Sequence, residues 1–208
     1  YDESLFVRAA VEEVLITLGI AIVLVIAVIF LFFRSVRATA IPAFTIPVSI
    51  IGAFIIMAPA GFSINVLTLL ALILAVGLVV DDAIVVLENV QRRIDEGEAP
   101  LIAAVRGARQ VAFAVIATTL TLVAVFVPIA FMEGNVGRLF TEFGFVMAAA
   151  VIISSLVALT LAPMLCSKWL RPTTGSSRFF RASERLLNAM AGGYRRVLEV
   201  SLRFPVIV

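Results

Sequence analysis

Two adjacent carboxylates, Asp81 and Asp82, stand inside an apolar run that is long enough to cross a lipid bilayer. The run covers residues 65–93 and reads NVLTLLALILAVGLVVDDAIVVLENVQRR. Counted back from Gln91 at about 1.5 Å per residue, Asp81 would lie about 15 Å deep, near the middle of a hydrocarbon core of about 30 Å. An acidic side chain at that depth costs on the order of 3 kcal/mol, and acids found there usually belong to proton or ion pathways. The pair is therefore the first candidate for chemistry.

Each step along a helix turns the side chain by about 100°, so the two carboxylates face different neighbours. Asp81 shares its face with Gly77 and Glu88, whereas Asp82 shares its face with Asn89. Two acids this close in a low dielectric do not both ionise unless cations lie nearby. Such a site can hold protons and release them when a cation or water approaches, as a proton-coupled machine requires. Because Gly77 lets another backbone come close, we expect this helix at the centre of a bundle.

Few other residues in the apolar runs could take part in this chemistry. No Lys or Arg lies inside the other predicted spans, so the countercharge is expected outside this chain, or the pair is largely protonated. Thr118, Thr119 and Thr121 are grouped in one later run and could supply hydroxyls if that run packs nearby. The chain has no His and one Cys, so neither an internal disulfide nor a cysteine metal site is credible. We expect no metal and no cofactor.

Composition indicates the surroundings of the acidic helix. Of the 208 residues, 62% are hydrophobic and 14% are charged. Soluble domains are about 45–50% apolar, so the chain is interpreted as an integral membrane protein. A buried helix of a soluble protein is disfavoured because equally long apolar runs precede and follow the acidic one. A purely structural role for the pair, as a polar contact between membrane helices, remains an alternative.

The apolar runs predict an all-α integral membrane protein, a helical bundle of about five transmembrane helices plus an amphipathic surface helix. The predicted spans are 14–33, 39–58, 65–93, 112–132 and 139–165. Pro42 and Pro47 predict a kink in the second span. Residues 91–110 are polar and predict a loop with a short surface helix, and 133–138 predict a small loop. In a longer segment, Phe, Leu and Arg residues take opposite sides at helical spacing, which is typical of a helix lying in the membrane surface.

The predicted organisation has four parts. They are the end of an external (periplasmic) region at 1–13, transmembrane helices at 14–170, the amphipathic helix on the cytoplasmic surface at 171–203, and the start of another transmembrane helix at 204–208. One set of loops carries 14 of the 16 Lys and Arg residues, and only Arg8 and Arg138 fall on the other side. The positive-inside rule makes the first set cytoplasmic. Since the chain starts at Tyr1 and stops inside an apolar run, we interpret it as an internal piece of a longer protein.

Four stretches carry a resemblance to a known family. They are GFSIN (61–65), GLVVDDAIVVLENVQRR (77–93), FVPIAFMEGNVGRLF (126–140) and SLVALTLAPMLCSKWLRP (155–172). On these stretches the chain closely resembles the resistance–nodulation–cell division (RND) transporters, and more narrowly the AcrB-type inner-membrane subunits of tripartite multidrug efflux pumps in Gram-negative bacteria. The heavy-metal branch is similar but typically has Asp-Gly where this chain has Asp81-Asp82, which favours the drug-exporting branch.

The resemblance implies that the visible spans are the second to sixth of twelve. It also implies that Asp81 and Asp82 form the acidic half of a proton relay, facing a Lys on helices of the second half. The implied function is proton-coupled export of hydrophobic or amphiphilic compounds across the inner membrane, with drugs bound mainly outside this chain. The implied assembly is a homotrimer with a periplasmic adaptor and an outer-membrane channel, and no nucleic acid is expected as a partner.

Three other functions compete with drug/proton antiport. A SecDF-like proton-driven translocation motor also uses an intramembrane Asp, but its motif matches less well. An intramembrane aspartyl protease brings one Asp from each of two helices to a shared water, whereas here both are adjacent on one helix, so an enzyme is disfavoured. A non-transporting receptor or scaffold of the same fold remains open. Export that depends on a proton gradient would separate the pump from the receptor.

Overall fold

The structure, a computed structural model, describes residues 3–172 and 192–194. Five long helices make up residues 3–172. They are α1 (Glu3–Phe33), α2 (Val36–Met57), α3 (Val66–Asp95), α4 (Pro100–Ala130) and α5 (Gly134–Trp169). All five are long and apolar enough to cross a membrane. The prediction of an all-α membrane bundle with about five transmembrane helices is therefore confirmed.

The predicted surface helix at 171–203 and the span starting at 204–208 lie outside the described residues, with two exceptions. Residues 171–172 are described and not helical, and residues 192–194 are helical. Both segments therefore stay predictions, as does the external position of 1–13, although α1 already begins at Glu3.

Two helices begin earlier than the sequence predicted. α4 runs without a break from Pro100, so the expected short surface helix within 91–110 is the first part of a transmembrane helix instead. Proline at the first helical position is favourable because its missing N–H would have no partner there, and its φ already suits a helix. α5 begins at Gly134, so the loop predicted at 133–138 is mostly helical. Charged residues near a helix end can extend toward water, which is why polarity alone did not mark these ends.

The turns between helices have local causes. Ser35 caps α2, where its Oγ accepts a hydrogen bond from the Ala38 N–H at 3.4 Å. Asn65 caps α3 and exchanges hydrogen bonds with Thr68, a reciprocal capping box that satisfies donors at the helix start. Pro42 stays inside α2, and the Thr45 hydroxyl donates to its carbonyl at 3.0 Å. The predicted kink of α2 remains a prediction.

Helix α3 is central, as predicted, since it contacts each of the other four helices. Its buried side chains recur every three or four residues, the spacing of one helix face. They include Leu69, Leu72, Val76, Val79, Ala83, Leu87 and Val90. On α5, the residues that pack into the bundle are small, which allows close approach of neighbouring helices. These are Ala148, Ala149, Ala150, Ser154 and Ser155.

The bundle has two chemically different ends. The α1–α2 turn, the α3–α4 turn and the last turn of α5 meet at one end, where Gln91 Nε2 donates to the Arg171 carbonyl at 3.1 Å. We call this the basic end, because the predicted cytoplasmic Lys and Arg residues of the described loops lie there. At the opposite end, Glu142 accepts hydrogen bonds from Ser63 and Asn65. Which end faces the cytoplasm stays a prediction.

Candidate functional site

The acidic pair lies at the middle of α3, a helix of 30 residues. At about 1.5 Å per residue, Asp81 and Asp82 are each about 20 Å from both ends of the helix. The residues flanking the pair on this helix are almost all aliphatic. The predicted central depth of the pair in a membrane is therefore matched by its position along a central helix.

Asp81 lies on an exposed stripe of α3. The stripe repeats every three or four residues and consists of Leu70, Leu74, Gly77, Asp81, Val85 and Glu88. A Cβ added at Gly77 would meet no heavy atom within 4 Å, so the close approach expected there is not made by the described parts of the other helices. A carboxylate on such a stripe is too costly to leave in lipid, so the stripe is expected to contact another protein segment.

Asp82 is half-buried and faces α4. A groove of about 480 Å³ runs between α3 and α4 at this point. Its polar side chains are Asp81, Asp82, Thr118 and Thr121, and the rest of its lining is apolar. The condition set by the sequence, that the threonine-bearing span packs beside the acidic helix, is thus met.

The three grouped threonines have different roles in the packing. The Thr118 hydroxyl interacts with the Asp82 carboxyl and also donates back to the Val115 carbonyl at 2.9 Å. Thr121 lies one turn further along the same groove. Thr119 is buried away from the groove, and its hydroxyl donates to the Val115 carbonyl at 2.7 Å. The spacing of three residues between 118 and 121 was the sequence signal for one shared face.

Two further candidates of the sequence, Glu88 and Asn89, do not join the pair. Glu88 is exposed near the basic end, where it lines a cavity together with Gln91 and Arg92. Asn89 binds α4, because its Nδ2 donates to the Gly107 carbonyl at 2.8 Å and to Gln110 Oε1 at 3.2 Å. Sharing a helix face with Asp81 or Asp82 therefore placed these side chains correctly around the helix but two turns away along it.

A polar network that the sequence did not indicate fixes α3 against α4 at the basic end. Arg93 pairs with Glu98 at 3.0 Å and donates to Gln110 Oε1 at 2.8 Å, and Arg106 reaches Glu98 at 3.3 Å. Individual exposed ion pairs contribute at most about 1 kcal/mol, so the network matters mainly as a set of fixed distances. It holds α4 at one height along α3, which keeps Thr118 level with Asp82.

On the other side of α3, Ser154 of α5 makes a buried hydrogen bond between helices. Its Oγ donates to the Val79 carbonyl at 2.7 Å, two residues before Asp81. This contact attaches α5 to the back of the acidic helix and leaves both carboxylates facing away from it. A serine within an apolar span was the only signal in the sequence, and it did not identify the partner.

The arrangement suits proton binding rather than metal binding. Across residues 3–172, no three His, Cys, Asp or Glu side chains come together where they could hold a metal ion. The lining of the groove, within the same range, contains no Lys or Arg. A pair of carboxylates with hydroxyl neighbours and no adjacent cation can accept, hold and release protons.

Comparison with known proteins gives one family throughout. The model of the AcrB/AcrD/AcrF family matches residues 1–208. The chain is 51% identical over 199 residues to multidrug resistance protein MdtC of Pectobacterium carotovorum subsp. carotovorum (strain PC1). It is 50% identical over 198 residues to MdtC of Yersinia enterocolitica serotype O:8 / biotype 1B. Each match covers 95% of this chain and 19% of the relative, so the chain spans about a fifth of the length of these relatives.

Proposed function

The chain belongs to the AcrB/AcrD/AcrF family of RND transporters, and on that premise we propose that it carries the acidic half of the proton relay in a drug/proton antiporter. The transported compounds would be hydrophobic or amphiphilic, in keeping with relatives that are named multidrug resistance proteins. In this proposal Asp81 and Asp82 take up protons on one side of the membrane and release them on the other. The energy of that proton flow drives export.

One observation carries the proposal. Two carboxylates lie at the middle of the central helix of an apolar bundle, and no cation of the described residues faces them from the groove. A structural contact between helices would need only one polar group, and an amide or a hydroxyl would cost less than an acid at this depth. A pair of acids is expensive there unless its protons are used.

The exposed stripe of α3 indicates how protons could move helices. When Asp81 is ionised, its charge favours the approach of a cationic side chain from another helix; when it is protonated, that attraction is lost. The two protonation states therefore favour two helix packings, and a switch between them shifts the population of the transporter. The cation is expected on a helix of the second half of the full-length protein.

The assembly and location follow from the same proposal. The full-length transporter would lie in the inner membrane of a Gram-negative bacterium, as a homotrimer joined to a periplasmic adaptor and an outer-membrane channel. Drugs would bind mainly outside this chain. The role of residues 3–172 is then energy coupling, and substrate choice would be made elsewhere.

Replacement of each acid by its amide in the full-length protein tests the proposal. Asp81→Asn and Asp82→Asn should each abolish proton-driven export, because Asn has nearly the same shape but cannot bind and release a proton. Folding and membrane insertion should be kept, since the amide also removes the cost of burying a charge. Glu88→Gln is the matched control and should reduce export much less, because Glu88 lies near the basic end and outside the groove.

The measurement is drug efflux from cells or vesicles under an imposed pH gradient, with expression checked in parallel. If either Asn variant exports at close to the parental rate, the relay role of that residue is wrong, and a structural hydrogen bond is the better explanation of its presence.

A further inference from the structure

The groove between α3 and α4 differs on the two sides of the acidic pair. The two helices run in opposite directions, and α4 leads from the basic end to the opposite end. Thr118 is level with Asp82, with which it interacts, and Thr121 lies one turn closer to the opposite end. On the side of the basic end, the groove is lined by Val85 and Ala114. Hydroxyl groups thus continue from the acids in one direction only.

We propose that this groove is the path by which protons reach Asp82 from the end of the bundle opposite the basic residues, with Thr118 as the hydroxyl that passes the proton on. Thr121 would be the preceding polar contact for water in the groove. The proposal rests on the proposed proton relay and adds to it a route, a direction and a positioning residue.

The Thr118 hydroxyl has a hydrogen-bond partner in both protonation states of Asp82. When the acid is protonated, its O–H donates to Thr118 Oγ1, while the Thr118 hydrogen stays on the Val115 carbonyl at the 2.9 Å contact that the structure shows. When the acid is ionised, the Thr118 hydroxyl rotates and donates to the carboxylate. The hydroxyl therefore changes partner without leaving a buried polar group unsatisfied, which would be costly.

The transfer is balanced. A hydronium ion in the groove gives a proton to Thr118 Oγ1 as Thr118 gives its own proton to the Asp82 carboxylate. One O–H bond breaks on the hydronium and one forms on Thr118, and the original Thr118 O–H bond is replaced by one on Asp82. The products are water, unchanged threonine and a neutral acid, so no oxidant or reductant is needed.

The size and lining of the groove suit water on one side only. A water molecule occupies about 30 Å³ of liquid volume and needs two to four polar partners to be held. The groove, at about 480 Å³, has room for several waters, and its polar side chains begin at the acids and extend toward the opposite end. Asp81 and Asp82 are the titratable groups among its described lining residues, and α5 presents the uncharged Ser154 to the back of α3. The apolar lining near Val85 ends the path at the pair.

The direction of the path matters for coupling. In the predicted orientation, the opposite end faces outward, where an energised bacterial membrane has the higher proton concentration. A path that is open to that side and closed by Val85 and Ala114 on the other would load the acids from outside. Release to the cytoplasm then requires a change in helix packing, and this requirement prevents protons from leaking through without export.

Three variants of the full-length transporter test the path in proteoliposomes. Thr118→Val keeps the shape of the side chain and removes the hydroxyl, and Thr118→Ser keeps the hydroxyl. Thr119→Val is the matched control, because Thr119 is the neighbouring threonine on the same helix but lies outside the groove. The export rate is measured against the pH on the side of the opposite end.

Thr118→Val should slow export about tenfold at neutral pH, the effect of losing one hydrogen bond to a charged group. The rate should recover when that side is made more acidic by about one pH unit, because a tenfold higher proton concentration offsets a tenfold slower delivery. Thr118→Ser and Thr119→Val should keep the parental pH profile. If Thr118→Val reduces expression, Thr121→Val takes its place, with an expected loss of two- to threefold and a shift in the same direction.

The outcomes separate this inference from the proposed function. A parental pH profile for Thr118→Val, or an equal shift for Thr119→Val, overturns the path. If Asp82→Asn is inactive in the same assay, the relay still stands without the path. If Asp82→Asn exports normally, the relay itself is wrong, and the path is wrong with it.

Discussion

Gly107 on α4 sets how closely α4 can approach α3. A Cβ added there would lie 2.9 Å from Val90 Cγ2, 3.2 Å from Val90 Cα and 3.3 Å from Val90 N. Two of these three atoms belong to the backbone, and the valine side chain is stiff in a helix. Gly107→Ala can therefore be accommodated only if the two helices separate by a few tenths of an ångström.

The expected cost of Gly107→Ala is the balance of three contributions. Overpacking costs about 1–3 kcal/mol, and the higher helix propensity of alanine returns about 1 kcal/mol. Separation of the helices also weakens the hydrogen bond of 2.8 Å between Asn89 Nδ2 and the Gly107 carbonyl. Hydrogen bonds between membrane helices contribute about 0.6 kcal/mol on average, so we expect a net loss of about 1–2 kcal/mol in the free energy of unfolding.

Unfolding of the purified full-length protein in detergent measures this loss. Gly19→Ala is the matched control, because an added Cβ at Gly19 meets no heavy atom within 4 Å, and its stability should be unchanged or slightly higher. The double variant Val90→Ala/Gly107→Ala should recover part of the loss, since it removes the contact at Cγ2 but keeps both backbone contacts. A Gly107→Ala variant as stable as Gly19→Ala would refute the close packing of α3 and α4.

Two further predictions concern α5 and the orientation of the bundle. Ser154→Ala should lower the free energy of unfolding by no more than about 1 kcal/mol, because the carbonyl that Ser154 bonds keeps its own helical N–H partner; a loss of more than about 3 kcal/mol in detergent unfolding would contradict that account. In a background without Cys166, a cysteine placed at position 61 should be labelled by an impermeant thiol reagent added outside the cell, and one at position 97 should not. The reverse labelling pattern would invert the orientation.

The number of helices could be predicted from the sequence because a membrane sets a minimum length for each apolar run. The central place of α3 was predictable as well, since an acidic pair at that depth has to face protein. The start of α4 was not predictable, because the charged residues of 91–110 resemble a loop while their long side chains reach water from a helix.

The composition of the site could be predicted only in part. Asp81 and Asp82 were found from their depth, whereas the division of labour between Thr118 and Thr119 depends on how α4 is rotated against α3. A single residue changes the direction of a side chain by about 100°, and composition does not give that angle. The partner of Ser154 likewise depends on the height of α5 along α3, which the whole packing of the bundle decides.

The central claim is that the acidic pair carries the protons that drive export. Its most direct test is the proton flux that accompanies drug transport by the full-length protein in proteoliposomes containing a pH-sensitive dye. The parental protein and Glu88→Gln should both move protons when drug is added under an imposed pH gradient. Asp81→Asn and Asp82→Asn should move none while still binding drug. Drug-dependent proton flux at close to the parental rate in either Asn variant would contradict the account.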